Sequence, residues 1–138
     1  MIDAEKAPYG ALLLRVSMGV LFILHGVYLK AFVFGMAGTG KFFATLGLPE
    51  WFAWIVMLYE TIGGLALVLG VYVRSVALFL GFHLLVASYL TAGNGWLFSN
   101  KGGGYEFPLF WAVACFALAL LGAGAHSLQS AVPSKGVH

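Results

Sequence analysis

The chain has little charge. Of its 138 residues, 9% are Asp, Glu, Lys or Arg, where a soluble domain carries roughly 25%. Its basic residues are scattered and the net charge is +2, so the basic patch that nucleic acid requires is absent. Cysteine occurs once, at Cys115, which excludes an intrachain disulfide. That residue sits in an apolar run with nothing nearby to stabilise a thiolate, so it reads as a small core residue. No H-x-x-x-H or E-x-x-H spacing and no paired cysteines occur, and no metal is expected. Internal repeats and low-complexity stretches are also missing.

Apolar residues are abundant, at 62%. A soluble fold of this length could not hide so much apolar surface, whereas lipid can. A membrane helix needs roughly 20 mainly apolar residues, and four segments qualify: Ala11–Phe34, Trp51–Val71, Val73–Ala92 and Phe107–Gly124. Pro49 and Pro108 fall near the starts of the second and fourth, where proline suits a helix. Ala11–Leu24 resembles the apolar core of a signal peptide. However, Asp3 and Glu5 precede it and no small-residue cleavage site follows, so it reads as a retained first helix. The expected fold is therefore all-α: one membrane domain over residues 1–138, an antiparallel four-helix transmembrane bundle.

The turn at Tyr72 is too short for anything but antiparallel neighbours. The two longer connections, Gly35–Glu50 and Gly93–Glu106, are glycine-rich and read as loops on the side opposite the termini. Trp51, Trp54, Trp96, Tyr105 and Trp111 form an aromatic belt there. Lys6, Arg15, Arg74 and Lys135 on the terminal side outnumber Lys30, Lys41 and Lys101, which puts both termini in the cytoplasm. The residues after Gly124 read as a frayed polar tail.

Charge within lipid costs about 3 kcal/mol on insertion scales, so buried ionisable groups mark function. Here they are Arg15, His25 and Lys30 in the first span, Glu60 in the second, Arg74 and His83 in the third, and Glu106 at the start of the fourth. At 3.6 residues per turn, Arg15, Gly19, Phe22, Gly26 and Lys30 share a face. Its glycines admit a second helix or a flat ligand. Glu60 shares a face with Gly64. Arg74, Gly81, Ser88 and Thr91 align on the third helix, leaving His83 on the opposite side, towards lipid or a neighbouring subunit. At 1.5 Å per residue, Glu60 lies roughly 16 Å and His25 roughly 21 Å from the terminal side. A His25–Glu60 hydrogen bond is therefore expected, with proton exchange as its chemistry. Lys30 and Glu106 are expected to pair near the loop side. Arg15 and Arg74 are expected to snorkel to the terminal side. Each has a plainer alternative: Arg74 and Lys30 as interfacial anchors, His25 as a packing histidine. A mid-span carboxylate such as Glu60 has no comparable structural excuse.

One motif misleads. Gly35-Met-Ala-Gly-Thr-Gly-Lys41-Phe42 matches the spacing of a P-loop. It has Phe where the Mg²⁺-binding hydroxyl belongs and follows a membrane helix rather than a strand, which rules that reading out.

The segments LLLRVSMGVLFILHGVYLK, LGLP, YETIGGLALVLGVYVR, NKGGGYEFPLF and LLGAGAHSL together resemble the DoxX family of small four-helix membrane proteins. The family pattern falls on Arg15, Gly19, Gly26, Lys30, Glu60, Gly63, Gly64, Gly70, Arg74, Gly103 and Glu106. One departure is a tyrosine between the glycines and Glu106. The family includes the small subunit of a thiosulfate:quinone oxidoreductase and members linked to oxidative-stress defence with soluble redox partners. The resemblance thus implies a subunit of a quinone-linked redox system in a bacterial or archaeal inner membrane.

On that expectation Glu60, His25 and Arg15 carry the chemistry, with Glu60 moving protons and Arg15 or His25 holding quinone oxygens. Gly19, Gly26, Lys30, Gly64, Arg74 and Glu106 complete the quinone site. The expected partners are the bilayer, a quinone, a soluble or membrane redox protein and a second copy of the chain. Haem needs two axial histidines, and His25 and His83 fall on different faces. The alternatives from other classes are a small proton-coupled transporter or channel, which a buried carboxylate would also serve, and a non-catalytic membrane anchor or assembly subunit.

Overall fold

The structure is a computed structural model that describes residues 1–131, and its regular secondary structure is helical throughout those residues. Helix α1 (Ala7–Ile23) has Pro8 in its first turn, where the missing N–H costs nothing. Just ahead of it, the Asp3 carboxylate accepts the backbone N–H groups of Lys6 and Glu5. The Lys6 bonds, backbone first, hold its pKa below the ordinary 3.8. α1 runs without a break into a π-helical segment, Leu24–Val33. Then follow α2 (Gly35–Thr45), α3 (Phe52–Leu69), α4 (Val73–Thr91), α5 (Glu106–Leu121) and the short α6 (Leu128–Ala131).

Three of these helices are long and apolar enough to cross a membrane: Ala7–Val33, Phe52–Leu69 and Val73–Asn94. The fourth expected span is a shorter apolar helix, α5, of 16 residues. It stops at Leu121 because Gly122, at φ +87°, turns the chain beside the Arg74 guanidinium, 3.0 Å from where a Cβ would stand. α3 also ends on a glycine: Gly70 at φ +76° lets its own N–H and that of Val71 bond the Ala66 carbonyl, both at 2.9 Å. These ends lie within a few residues of those read from the sequence.

The connection expected at Gly35–Glu50 is instead largely helix. Glycines disfavour a helix by about 1 kcal/mol each, yet α2 forms because packing repays them. Phe43 buries against Ala53 and Val56 of α3, and Gly40 lets α2 press on the Glu50 backbone, 3.2 Å from where a Cβ would stand.

α1 lies on α3, and α4 lies on both α5 and α3. The α1–α3 seam is built from small residues. A Cβ at Gly19 would sit 2.6 Å from the Val68 side chain, and one at Gly64 would sit 2.6 Å from the Gly19 carbonyl. Met18, Phe22, Leu67, Leu80, Leu84, Cys115 and Leu118 fill the core between the four long helices. Large apolar side chains such as Leu13, Phe32, Ile62, Phe79, Phe82, Phe110 and Leu120 point outward. An apolar exterior around a seam of small residues is the pattern of a protein dissolved in lipid.

The tail does not fray where it is described. The Ala125 N–H bonds the Pro8 carbonyl at 2.9 Å, Gln129 bonds Gly70, and Ser127 is buried. Lys135 lies outside the described residues.

Candidate functional site

Glu60 projects from the middle of α3 and is nearly fully buried. Both of its carboxylate oxygens are engaged. Lys30 Nζ, from the π-helical segment, donates to Oε2, and His83 Nε2, from α4, lies 2.9 Å from Oε1. The Lys30 ammonium also donates to the His25 carbonyl at 2.8 Å. Tyr59 lies against the His83 ring, centroids 5.4 Å apart. Three helical segments thus deliver a cation, an anion and an imidazole to one point within the bundle.

This triad forms the polar end of a chamber of about 470 Å³. Its walls include Phe42, Phe43, Phe52, Val56 and Leu90, and Thr91 is its one other polar lining residue. A second chamber of about 500 Å³ lies beyond Phe42 and Phe43, and Lys30 lines both. These volumes fall within the range of small-molecule sites. The π-helical geometry contributes directly. Wider turns shift residues off the 3.6-residue register, and such segments recur at functional sites. Thr39 of α2 secures the segment by donating to the Lys30 carbonyl at 2.9 Å.

Several expectations need correction. His83 does not face away from the bundle. α4 has two neighbours, and the Gly81 face that packs on Phe116 of α5 is not the face that meets α3. Reading one inward stripe per helix therefore discarded the side chain that bonds Glu60. The sequence did hold a signal: Glu60 and His83 lie at equal distances from the tight turn at Gly70–Val73, so adjacent antiparallel helices bring them to one height. His25 does not reach Glu60. Its Nδ1 is 3.0 Å from the Leu21 carbonyl, and its ring packs against Trp111 and Phe107 of α5. Lys30 pairs with Glu60 rather than with Glu106, which accepts the Phe98 N–H in the loop at 3.3 Å.

Arg15 does not snorkel. It is fully buried, and its five N–H groups meet the carbonyls of Leu67, Val68, Ala123, Ala125 and His126 at 2.8–3.1 Å. A guanidinium has five N–H donors, so none is left for a ligand. Arg74 holds the end of α5, donating to the Ala119 and Leu120 carbonyls at 2.9 and 2.8 Å. Gly19, Gly26 and Gly64 contact the facing helix rather than a cavity. A Cβ at Gly26 would lie 2.5 Å from the Thr61 hydroxyl. Of the expected site residues, the structure brings together Lys30 and Glu60, and it adds His83 and the aromatic pair Phe42–Phe43.

The family model for DoxX matches residues 10–93, which hold both Lys30 and Glu60 as well as His83. The chain belongs to the DoxX family. It is similar to the protein named "Putative oxidoreductase CatD" of Bacillus subtilis (strain 168), 40% identical over 78 residues that cover 56% of each chain. It is also similar to the "Inner membrane protein YqjF" of Escherichia coli (strain K12), 31% identical over 131 residues, 91% of this chain and 94% of that one. An uncharacterised protein of Haemophilus influenzae is 31% identical over 133 residues, 94% of this chain and 96% of that one. No solved structure matches. Family and apolar helices together make this DoxX protein an integral membrane protein in contact with lipid.

Proposed function

We propose that this DoxX protein is the quinone-handling membrane subunit of a redox system in an inner membrane, folded as an antiparallel bundle that crosses the bilayer four times. The observation that carries this is Glu60 held between Lys30 and His83 at the polar end of an apolar chamber. A quinone is a flat ring with two carbonyl oxygens on an apolar body. Its two-electron reduction takes up two protons. The chamber offers phenyl walls to the ring and the Lys30 N–H groups to an oxygen, with Glu60 and His83 as proton-exchanging groups within hydrogen-bond reach of one another. Electrons come from a partner protein or from a second bound substrate. The Bacillus relative's name supports the oxidoreductase class.

The test is photolabelling with an azidoquinone in nanodiscs. Labelled peptides are expected from α2, α3 and α4 around Phe42, Phe52 and Leu90. Glu60→Gln, which keeps the volume and removes the charge, is expected to weaken labelling by roughly tenfold, the loss of one charge-assisted contact of about 1.5 kcal/mol. Labelling confined to the outer lipid-facing residues, with no dependence on Glu60, would sink the proposal.

A further inference from the structure

Lys30 is an amine placed between two apolar chambers with a carboxylate at its side, an arrangement suited to carbonyl chemistry that does not depend on quinone binding. We propose that Lys30 is a nucleophile that captures long-chain aldehydes from the bilayer as a Schiff base, with Glu60 as its counter-ion. Four observations lead there. The ammonium is largely withdrawn from solvent, and its Cε, the His25 carbonyl and Glu60 Oε2 take three of its four tetrahedral directions. Among the described residues nothing accepts the third N–H. Glu60 is itself bonded to His83, so carboxylate and imidazole form a pair able to hold one more proton. Lastly, the chamber of about 470 Å³ has an apolar lining apart from the triad and Thr91, which suits an aliphatic chain.

The step balances without an added reagent. Lys30 gives its proton to the Glu60–His83 pair. The amine then adds to the aldehyde carbon, forming a C–N bond, and the oxygen leaves as water once protonated. The proton returns to the nitrogen, so an ammonium and an aldehyde become an iminium and water, with the carboxylate beside the new cation. Desolvated lysines are the usual Schiff-base formers. The exposed Lys6, Lys41 and Lys101 lack both the chamber and the buried carboxylate.

The test incubates the full-length protein in nanodiscs with decanal, reduces with cyanoborohydride and maps the modified lysines by peptide mass spectrometry. Lys30 is expected to carry the dominant adduct, and its preference over the exposed lysines should vanish when propanal replaces decanal. This chain-length comparison uses the unaltered protein and so carries no folding risk. Glu60→Gln and His83→Gln are each expected to slow labelling of Lys30 by on the order of a hundredfold, the scale of a lost acid–base group. Decanal adducts on Lys6, Lys41 and Lys101 with Lys30 unmodified would overturn the proposal. So would labelling of Lys30 at an unchanged rate in both variants. A short-chain quinone that fails to protect Lys30 counts against the quinone reading and leaves the adduct result standing.

Discussion

Arg15 and Lys30 belong to one continuous helical stretch, and both are withdrawn from solvent, yet the fold treats them in opposite ways. Arg15 is saturated by five carbonyls, whereas Lys30 makes two hydrogen bonds and lines two chambers. The two should therefore fail differently. Arg15→Lys keeps the charge but supplies at most three donors, so at least two of the five hydrogen bonds are lost. We expect destabilisation of about 3 kcal/mol, read as a clear drop in detergent melting temperature. Lys30→Gln leaves the Glu60 carboxylate with His83 alone and should also lower the melting temperature, but it should abolish quinone labelling, which Arg15→Lys should spare. Equal melting temperatures for Arg15→Lys and the parent protein would show that the five bonds carry no net stability. Glu60 was legible in the sequence because a lone carboxylate in mid-span is too costly to keep without a use. For His83 the sequence held only the height, set by its distance from the Gly70–Val73 turn; which neighbour its face of α4 meets is not encoded in hydropathy.

At the scale of elements, the helix α1 with its π-helical extension serves two contacts at once. Its glycine face packs on α3, while His25 turns to α5. Gly26→Leu must push Thr61 and the α3 backbone away, an overpacking cost of about 3 kcal/mol, and it should lower the melting temperature. Val20→Leu, at an outward-facing position, should leave it unchanged. Parallel thermal melts of the two variants check this, and equal losses would undo the seam as described. That seam was readable from glycine spacing alone, since close helix approach demands small residues. α2 was not readable, because three glycines in Gly35–Thr45 argue locally against the helix that Phe43 and its α3 contacts impose. Local propensity lost to tertiary burial there, and with it went any view of the Phe42–Phe43 wall between the two chambers.

At the scale of the whole molecule, the four crossings proposed above would place Lys6 on one side of the bilayer and both Lys41 and Lys101 on the other. Single cysteines at these positions, in a Cys115→Ala background, should react with an impermeant maleimide from opposite sides. Reaction of all three from the same side would refute an odd number of crossings between Lys6 and the other two. Hydropathy made the long helices plain, because twenty apolar residues in a row have few other uses. It could not show how the chain closes on itself, since that depends on backbone carbonyls, which no side-chain pattern reveals. The closure also sets an order of events during synthesis. Arg15 enters the membrane with the first helix, but three of its five acceptors, the carbonyls of Ala123, Ala125 and His126, lie 108 to 111 residues further along the chain. Until that segment arrives, a guanidinium in lipid lacks most of its partners. A chain that stops before Ala123 therefore holds a guanidinium in the bilayer with the Leu67 and Val68 carbonyls as its remaining acceptors, and its insertion should be the less stable for it.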